Sequence, residues 1–140
     1  MGRSTFTGMP YIGSRPTIMV VDDEPALVEL VRFILEEAGY SVLPACDGRQ
    51  ALEFCKHYEY SIDLLLTDIN MPRMSGVELA SRFSELLPHV PVIFMTGYRT
   101  NSPDVETLVK DGPFSECKII RKPFSAPELL SGVTSVFQEH

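Results

Sequence analysis

The amino-acid sequence predicts an α/β protein built on a five-stranded parallel sheet that helices wind on both faces. Short, almost uninterrupted apolar runs alternate with stretches whose apolar residues recur every three or four positions. Runs of the first kind are strands buried on both faces, and parallel neighbours need crossover helices between them. The chain has 140 residues, 44% hydrophobic and 22% charged. That is the size of one domain whose buried surface needs no metal or disulfide to hold it.

Residues 1–15 mix Gly, Ser, Thr and Pro without periodicity and read as a flexible leader or linker remnant, which leaves residues 16–140 as the domain. Thr17–Val21 is the first strand, halted by Asp22, Asp23 and Glu24. Pro25 suits the first position of a helix, with acids beside its positive end. Leu27, Val31, Ile34, Leu35 and Ala38 form the apolar stripe of that helix, and Gly39 is placed to end it in the left-handed conformation. Ser41–Ala45 and residues 64–67, 92–95 and 118–120 follow as strands, alternating with helices over residues 49–57, 77–87, 103–110 and 127–137. Met71, Met74, Phe83, Phe94 and Met95 read as core or loop packing, and His57, His89 and His140 as surface.

Twelve basic residues against nineteen acidic ones give a net charge of -7. Arg3 and Arg15 both precede the domain, so residues 16–140 carry 10 minus 19, or -9. Such a field disfavours nucleic acid and favours a divalent cation or a partner presenting basic groups. No apolar run approaches the ~20 residues of a membrane span, and no signal sequence is evident, so a cytoplasmic location is expected. Cys46, Cys55 and Cys117 lack paired spacing and read as reduced, buried thiols.

In an open parallel sheet, functional groups gather outside the carboxyl ends of the strands, where strand order reverses. That rule selects Asp22, Asp23, Asp68, Thr96 and Lys122. Taken singly, each has an ordinary explanation: acids favour a helix start, an aspartate caps a turn, a threonine finishes a strand and a lysine is solvated. Together they must all meet at one rim.

The segments VVDDEP, LLLTDINMPRMSG, VIFMTG and IIRKPF, in that order and each ending an expected strand, resemble the receiver domain of bacterial two-component response regulators, the CheY-like superfamily with a flavodoxin-like (βα)5 fold. The resemblance covers residues 17–137. It implies that Asp68 accepts a phosphoryl group from the phosphohistidine of a sensor histidine kinase or phosphotransfer protein. It implies a Mg²⁺ or Mn²⁺ ion held directly by Asp23 and Asp68, by Asp22 mainly through water, and by the backbone carbonyl of Asn70. The resemblance also implies that Lys122 pairs with Asp68 at rest, that the Lys122–Pro123 bond is cis, and that Thr96 turns its hydroxyl toward the phosphoryl group, with Gly97 leaving room beside it. In the loop of Met71, Pro72 and Gly76, the proline restrains φ and the glycine is able to take φ > 0.

The chemistry of the residue types agrees with that assignment. Phosphoryl transfer needs positioning and charge neutralisation around one nucleophile. Three crowded carboxylates resist full ionisation until a hard divalent cation relieves them. The resemblance further implies a switch rather than an enzyme, catalysing only its own phosphorylation and dephosphorylation, and a partner or homodimer face made by the fourth helix, fifth strand and fifth helix.

Two features depart from the family pattern. Many members carry an aromatic residue three positions before the lysine, where this chain has Ile119, and Tyr98 is expected to hinder an attacking water and prolong the phosphorylated state. The stretch over residues 100–117 is longer than usual and is expected to govern partner choice. The TGY and RKPF segments are also similar to receivers at the ends of hybrid sensor kinases, and no output domain is expected after Phe137. Two other readings stand beside this one. A haloacid-dehalogenase-like phosphatase also uses an aspartyl nucleophile and Mg²⁺, although its usual second Asp is replaced by Asn70. A pseudo-receiver would serve as an interaction module without taking phosphate.

Overall fold

The computed structural model describes residues 15–58, 61–97, 109 and 112–138. Nine regular elements fall in these residues: β1 (Thr17–Val21), α1 (Pro25–Glu37), β2 (Ser41–Ala45), α2 (Gly48–Tyr58), β3 (Leu64–Asp68), α3 (Gly76–Leu86), β4 (Val92–Thr96), β5 (Lys118–Arg121) and α4 (Ala126–Gln138). Each lies within a residue or two of its expected bounds. The helix expected over residues 103–110 falls outside the described residues except Val109, which is helical and buried.

All five strands are parallel, in the order β2-β1-β3-β4-β5. Because successive strand residues point to opposite faces, each strand feeds two cores. Met19, Val21, Leu65 and Phe94 pack on one side with Ala51, Cys55, Leu79, Ala80 and Phe83 of α2 and α3. Ile18, Val20, Leu66, Ile93 and Met95 pack on the other with Val28, Val31 and Leu35 of α1 and Leu129, Val133 and Val136 of α4. Each buried Val, Leu, Ile, Met or Phe among them contributes on the order of 2 kcal/mol. The double burial explains why the strands read as unbroken apolar runs.

Pro25 is the first helical residue of α1, and Gly39 takes φ 101° just past its end, so both punctuation signals act as the sequence predicts. The stripe of α1 is rotated slightly from expectation: Ala38 is exposed, and so are Leu30 and Phe33. The two borders of the sheet are guarded. Pro44 sits in the middle of edge strand β2, opposite Val20. Edge strand β5 has four residues, with exposed Lys118 and Arg121 at its ends.

The thiols need one correction. Cys55 is buried, which pushes its pKa up to about 11, and half-buried Cys117 is also raised by burial. Cys46 is exposed, because it leaves β2 in a turn where its N–H donates to Gln50 Oε1 at 2.7 Å.

Candidate functional site

Strand order reverses between β1 and β3, so the carboxyl ends of these two central neighbours open into a shared crevice. β1 delivers Asp22 and Asp23 there, and β3 ends on Asp68 itself. An open cleft of about 890 Å³ follows, lined by polar Asp23, Glu24, Asp68, Asn70 and Lys122 and by apolar Leu27, Leu30 and Phe124. The five side chains selected from the sequence arrive at this end of the sheet: Asp22, Asp68 and Thr96 buried, Lys122 half-buried and Asp23 exposed.

One carboxylate oxygen from each of Asp22, Asp23 and Asp68 lies within 4.8 Å of the others. Ligands of a Mg²⁺ ion stand about 4 Å apart across its octahedron. The donor set is therefore hard, anionic and close to the required spacing, with Asp23 on the solvent side, where water could complete a shell. These residues fit a divalent cation.

Lysine brings positive charge to the same cluster. Lys122 Nζ donates to Asp22 Oδ2 at 2.7 Å and lies 3.5 Å from Asp68 Oδ1 and 3.9 Å from Glu24 Oε1. The expected resting pair with Asp68 is thus present but secondary. Asp22 is 1% exposed, and its other oxygen is taken by the Glu24 N–H at 3.0 Å, so it claims the ammonium first. Burial alone would lower the Lys122 pKa, but the hydrogen bond to Asp22 and the charges of Asp68, Asp22 and Glu24 raise it overall. Asp68 is raised to about 6, by burial first and then by the charge of Asp22, while Lys122 and the Asn70 backbone N–H pull against the rise.

Thr96 ends β4 and is 2% exposed; its carbonyl accepts the Lys122 N–H at 2.7 Å, which ties the hydroxyl strand to the lysine strand. The Lys122–Pro123 bond is cis. A Cβ on Gly97 would meet only the Lys122 Cδ at 4.0 Å, so the space there is open rather than filled. Ile119 is half-buried against the core that holds Phe94, its register partner in β4, and Phe114 meets Phe94 edge-on at 5.7 Å between centroids. Tyr98 lies outside the described residues.

The loop after Asp68 differs from expectation at one point. Arg73, not Gly76, takes positive φ, at 69°. Gly76 is required for space: a Cβ there would collide with the Asp68 carbonyl oxygen. The sequence pattern did not single out Glu24 as a member of the lysine network, Leu30 in the cleft wall, or exposed Phe33 one turn further along α1. The signal for the last two was their spacing of three residues off the buried stripe.

Fold and site together define a doubly wound α/β domain with three carboxylates and a lysine at its switch point. Residues 18–134 match the response regulator receiver domain family, and the chain belongs to it. It is 33% identical over 116 residues to the response regulator receiver protein CpdR of Brucella abortus, covering 83% of this chain and 92% of that one. It is 34% identical over 116 residues to the transcriptional regulatory protein DltR of Streptococcus agalactiae, covering 83% of this chain but 49% of that one. The chain thus spans nearly all of one relative and about half of the other. A receiver domain structure from Clostridium thermocellum matches with TM-score 0.77 at 30% identity, over 89% of this chain and 95% of that one. None of the described helices is long and apolar enough to cross a membrane.

Proposed function

We propose that this chain is a phosphoacceptor switch of a two-component phosphorelay, with Asp68 as the acceptor. The observation that carries the reading is the placement of Asp68: a buried carboxylate at the switch point, 3.5 Å from a lysine and grouped with two further aspartates. A carboxylate oxygen of Asp68 attacks the phosphorus of a phosphohistidine; the P–O bond forms, the P–N bond breaks, and the imidazole leaves with a proton from solvent. Asp23 and Asp68, with the Asn70 carbonyl, would hold Mg²⁺ or Mn²⁺, and Asp22 would act on it through water. The ion supplies positive charge against the transferring group.

Lys122 moves from Asp22 toward a phosphoryl oxygen, and the Thr96 hydroxyl donates to another. The resulting shift of population is read by a partner. Exposed Leu30, which lines the cleft, and exposed Phe33, three residues further along α1, suit a protein donor that seats itself over Asp68. A face that includes β5 and α4 meets an output partner or a second copy. A location in the cytoplasm accords with this chemistry.

Intact mass after incubation with acetyl phosphate and Mg²⁺ tests the reading. The native chain gains one phosphoryl group and Asp68→Asn gains none. A gain retained by Asp68→Asn places the acceptor elsewhere. No gain in either favours a pseudo-receiver, and multiple turnover of a phosphomonoester favours a phosphatase.

A further inference from the structure

The turn after the acceptor strand closes on a contact that leaves no room for a side chain. Gly76 opens α3, is buried, and donates its N–H to the Ile69 carbonyl at 2.7 Å. A Cβ built on it would collide with the Asp68 carbonyl oxygen and lie 2.9 Å from both the Asp68 carbonyl carbon and the Ile69 Cα. The other described glycines differ in kind. At Gly48 and Gly132 the obstacle is a side chain, Met74 or Ile120, and at Gly39 and Gly97 the space is open. Only at Gly76, among these, is the obstacle backbone, and that backbone belongs to the acceptor.

The same short path carries the groups that face the acidic cluster. Asp68 supplies its carboxylate, which accepts the Asn70 backbone N–H, and its carbonyl accepts the Thr67 hydroxyl at 3.0 Å. On the far side of the contact, α3 is a firm stop. Ser75 caps it by accepting the Glu78 N–H at 3.1 Å, and the Ser75 carbonyl accepts the Leu79 N–H at 2.9 Å. A side chain at position 76 therefore displaces residues 68–70 rather than the helix.

We propose that Gly76 is a positioning residue for the divalent cation: its close approach to the Asp68 carbonyl sets the path of residues 68–70, and so the aim of the Asp68 carboxylate toward Asp22 and Asp23. The inference rests on the phosphoacceptor reading above. Gly76 itself touches neither the ion nor the phosphoryl group.

The test is calorimetric titration of the whole chain with MgCl₂, alongside urea denaturation, for the native protein, Gly76→Ala and Gly132→Ala. The second variant presses a Cβ to 3.0 Å from Ile120 Cδ1, a packing insult on α4. Both variants lose stability, but Gly76→Ala weakens Mg²⁺ binding about tenfold or more while Gly132→Ala stays within about twofold. Where Gly76→Ala does not fold, Ser75→Ala loosens the same helix start without a clash. Its matched control is Ser125→Ala, whose hydroxyl caps α4 by accepting the Glu128 N–H at 3.2 Å. Ser75→Ala then weakens Mg²⁺ binding about threefold, and Ser125→Ala leaves it unchanged.

Native-like affinity in a folded Gly76→Ala, or equal affinities in the two serine variants, overturns the inference and leaves the phosphoacceptor reading intact. A native chain that takes up no Mg²⁺ overturns both.

Discussion

The two loops that meet at the switch point are built on opposite plans. The β3–α3 loop is fixed by shape: Ile69 and Met71 are buried, Ser75 caps the helix, and Gly76 lies against the Asp68 backbone. The β1–α1 loop is fixed by charge. Glu24 occupies the cap position of α1 without a side-chain cap bond, and Asp22 is held by one backbone N–H and by Lys122. The helix beyond it shows Phe33 at 63% exposure. One loop presents Asp68 in a set position; the other answers to the ionic state of the site and leads into a helix with an exposed apolar face. If that contrast holds, perturbing charge moves the first loop's neighbour far more than perturbing shape moves it, and the following outcomes rank accordingly.

Lys122→Ala has the largest effect, because it strands the buried Asp22 carboxylate. In urea denaturation at neutral pH without divalent ions it destabilises by about 3 kcal/mol, and Mg²⁺ recovers part of the loss. A loss equal with and without Mg²⁺ breaks the comparison.

Asp68→Asn comes next, with the opposite sign. In the folded state the Asp68 carboxyl holds its proton up to about pH 6, against an ordinary value of 3.8. Folding therefore binds the proton more tightly, and this contribution to stability is present below the lower value and lost as pH rises through the upper one. Asp68→Asn removes the penalty and is more stable at pH 7.5 by on the order of 2 kcal/mol, with the advantage vanishing below about pH 4. Parallel curves for the two proteins across that range would contradict the assignment.

Arg73→Gly tests the shape-fixed loop. A non-glycine residue in the left-handed region is strained, and glycine there relieves about 1 kcal/mol. Thermal unfolding of the variant shifts upward if the strain is real. Phe33→Ser has the smallest effect on stability, within about 0.5 kcal/mol, as for other exposed positions. It slows transfer from a phosphohistidine protein while leaving acetyl phosphate labelling unchanged; equal slowing with both donors would place Phe33 in the fold rather than in recognition.

Much of this arrangement is legible in the sequence because parallel strands are apolar from end to end. The polar residues at or just past the end of each run mark the rim, and Asp22, Asp23, Asp68, Thr96 and Lys122 all lie there. The relations among them are less legible. That Lys122 prefers Asp22 to Asp68 follows from how deeply each carboxylate is buried and which backbone N–H groups reach it. The exchange of roles between Arg73 and Gly76 is hidden for a similar reason: both residues suit a loop, and only the approach of α3 to β3 decides which needs torsional freedom and which needs space. Phe33 reads as apolar and helical, but its exposure depends on where the buried stripe of α1 settles against the sheet.

The guarded borders of the sheet set a rule for assembly. A proline in the middle of β2 removes an amide from one border, and the other is short and flanked by Lys118 and Arg121. Extension strand by strand, the route by which open sheets recruit copies of themselves, is discouraged at both margins. Any complex this domain enters is thereby steered to side-chain surfaces, where recognition depends on the residues displayed and not on backbone pairing that any extended chain could supply.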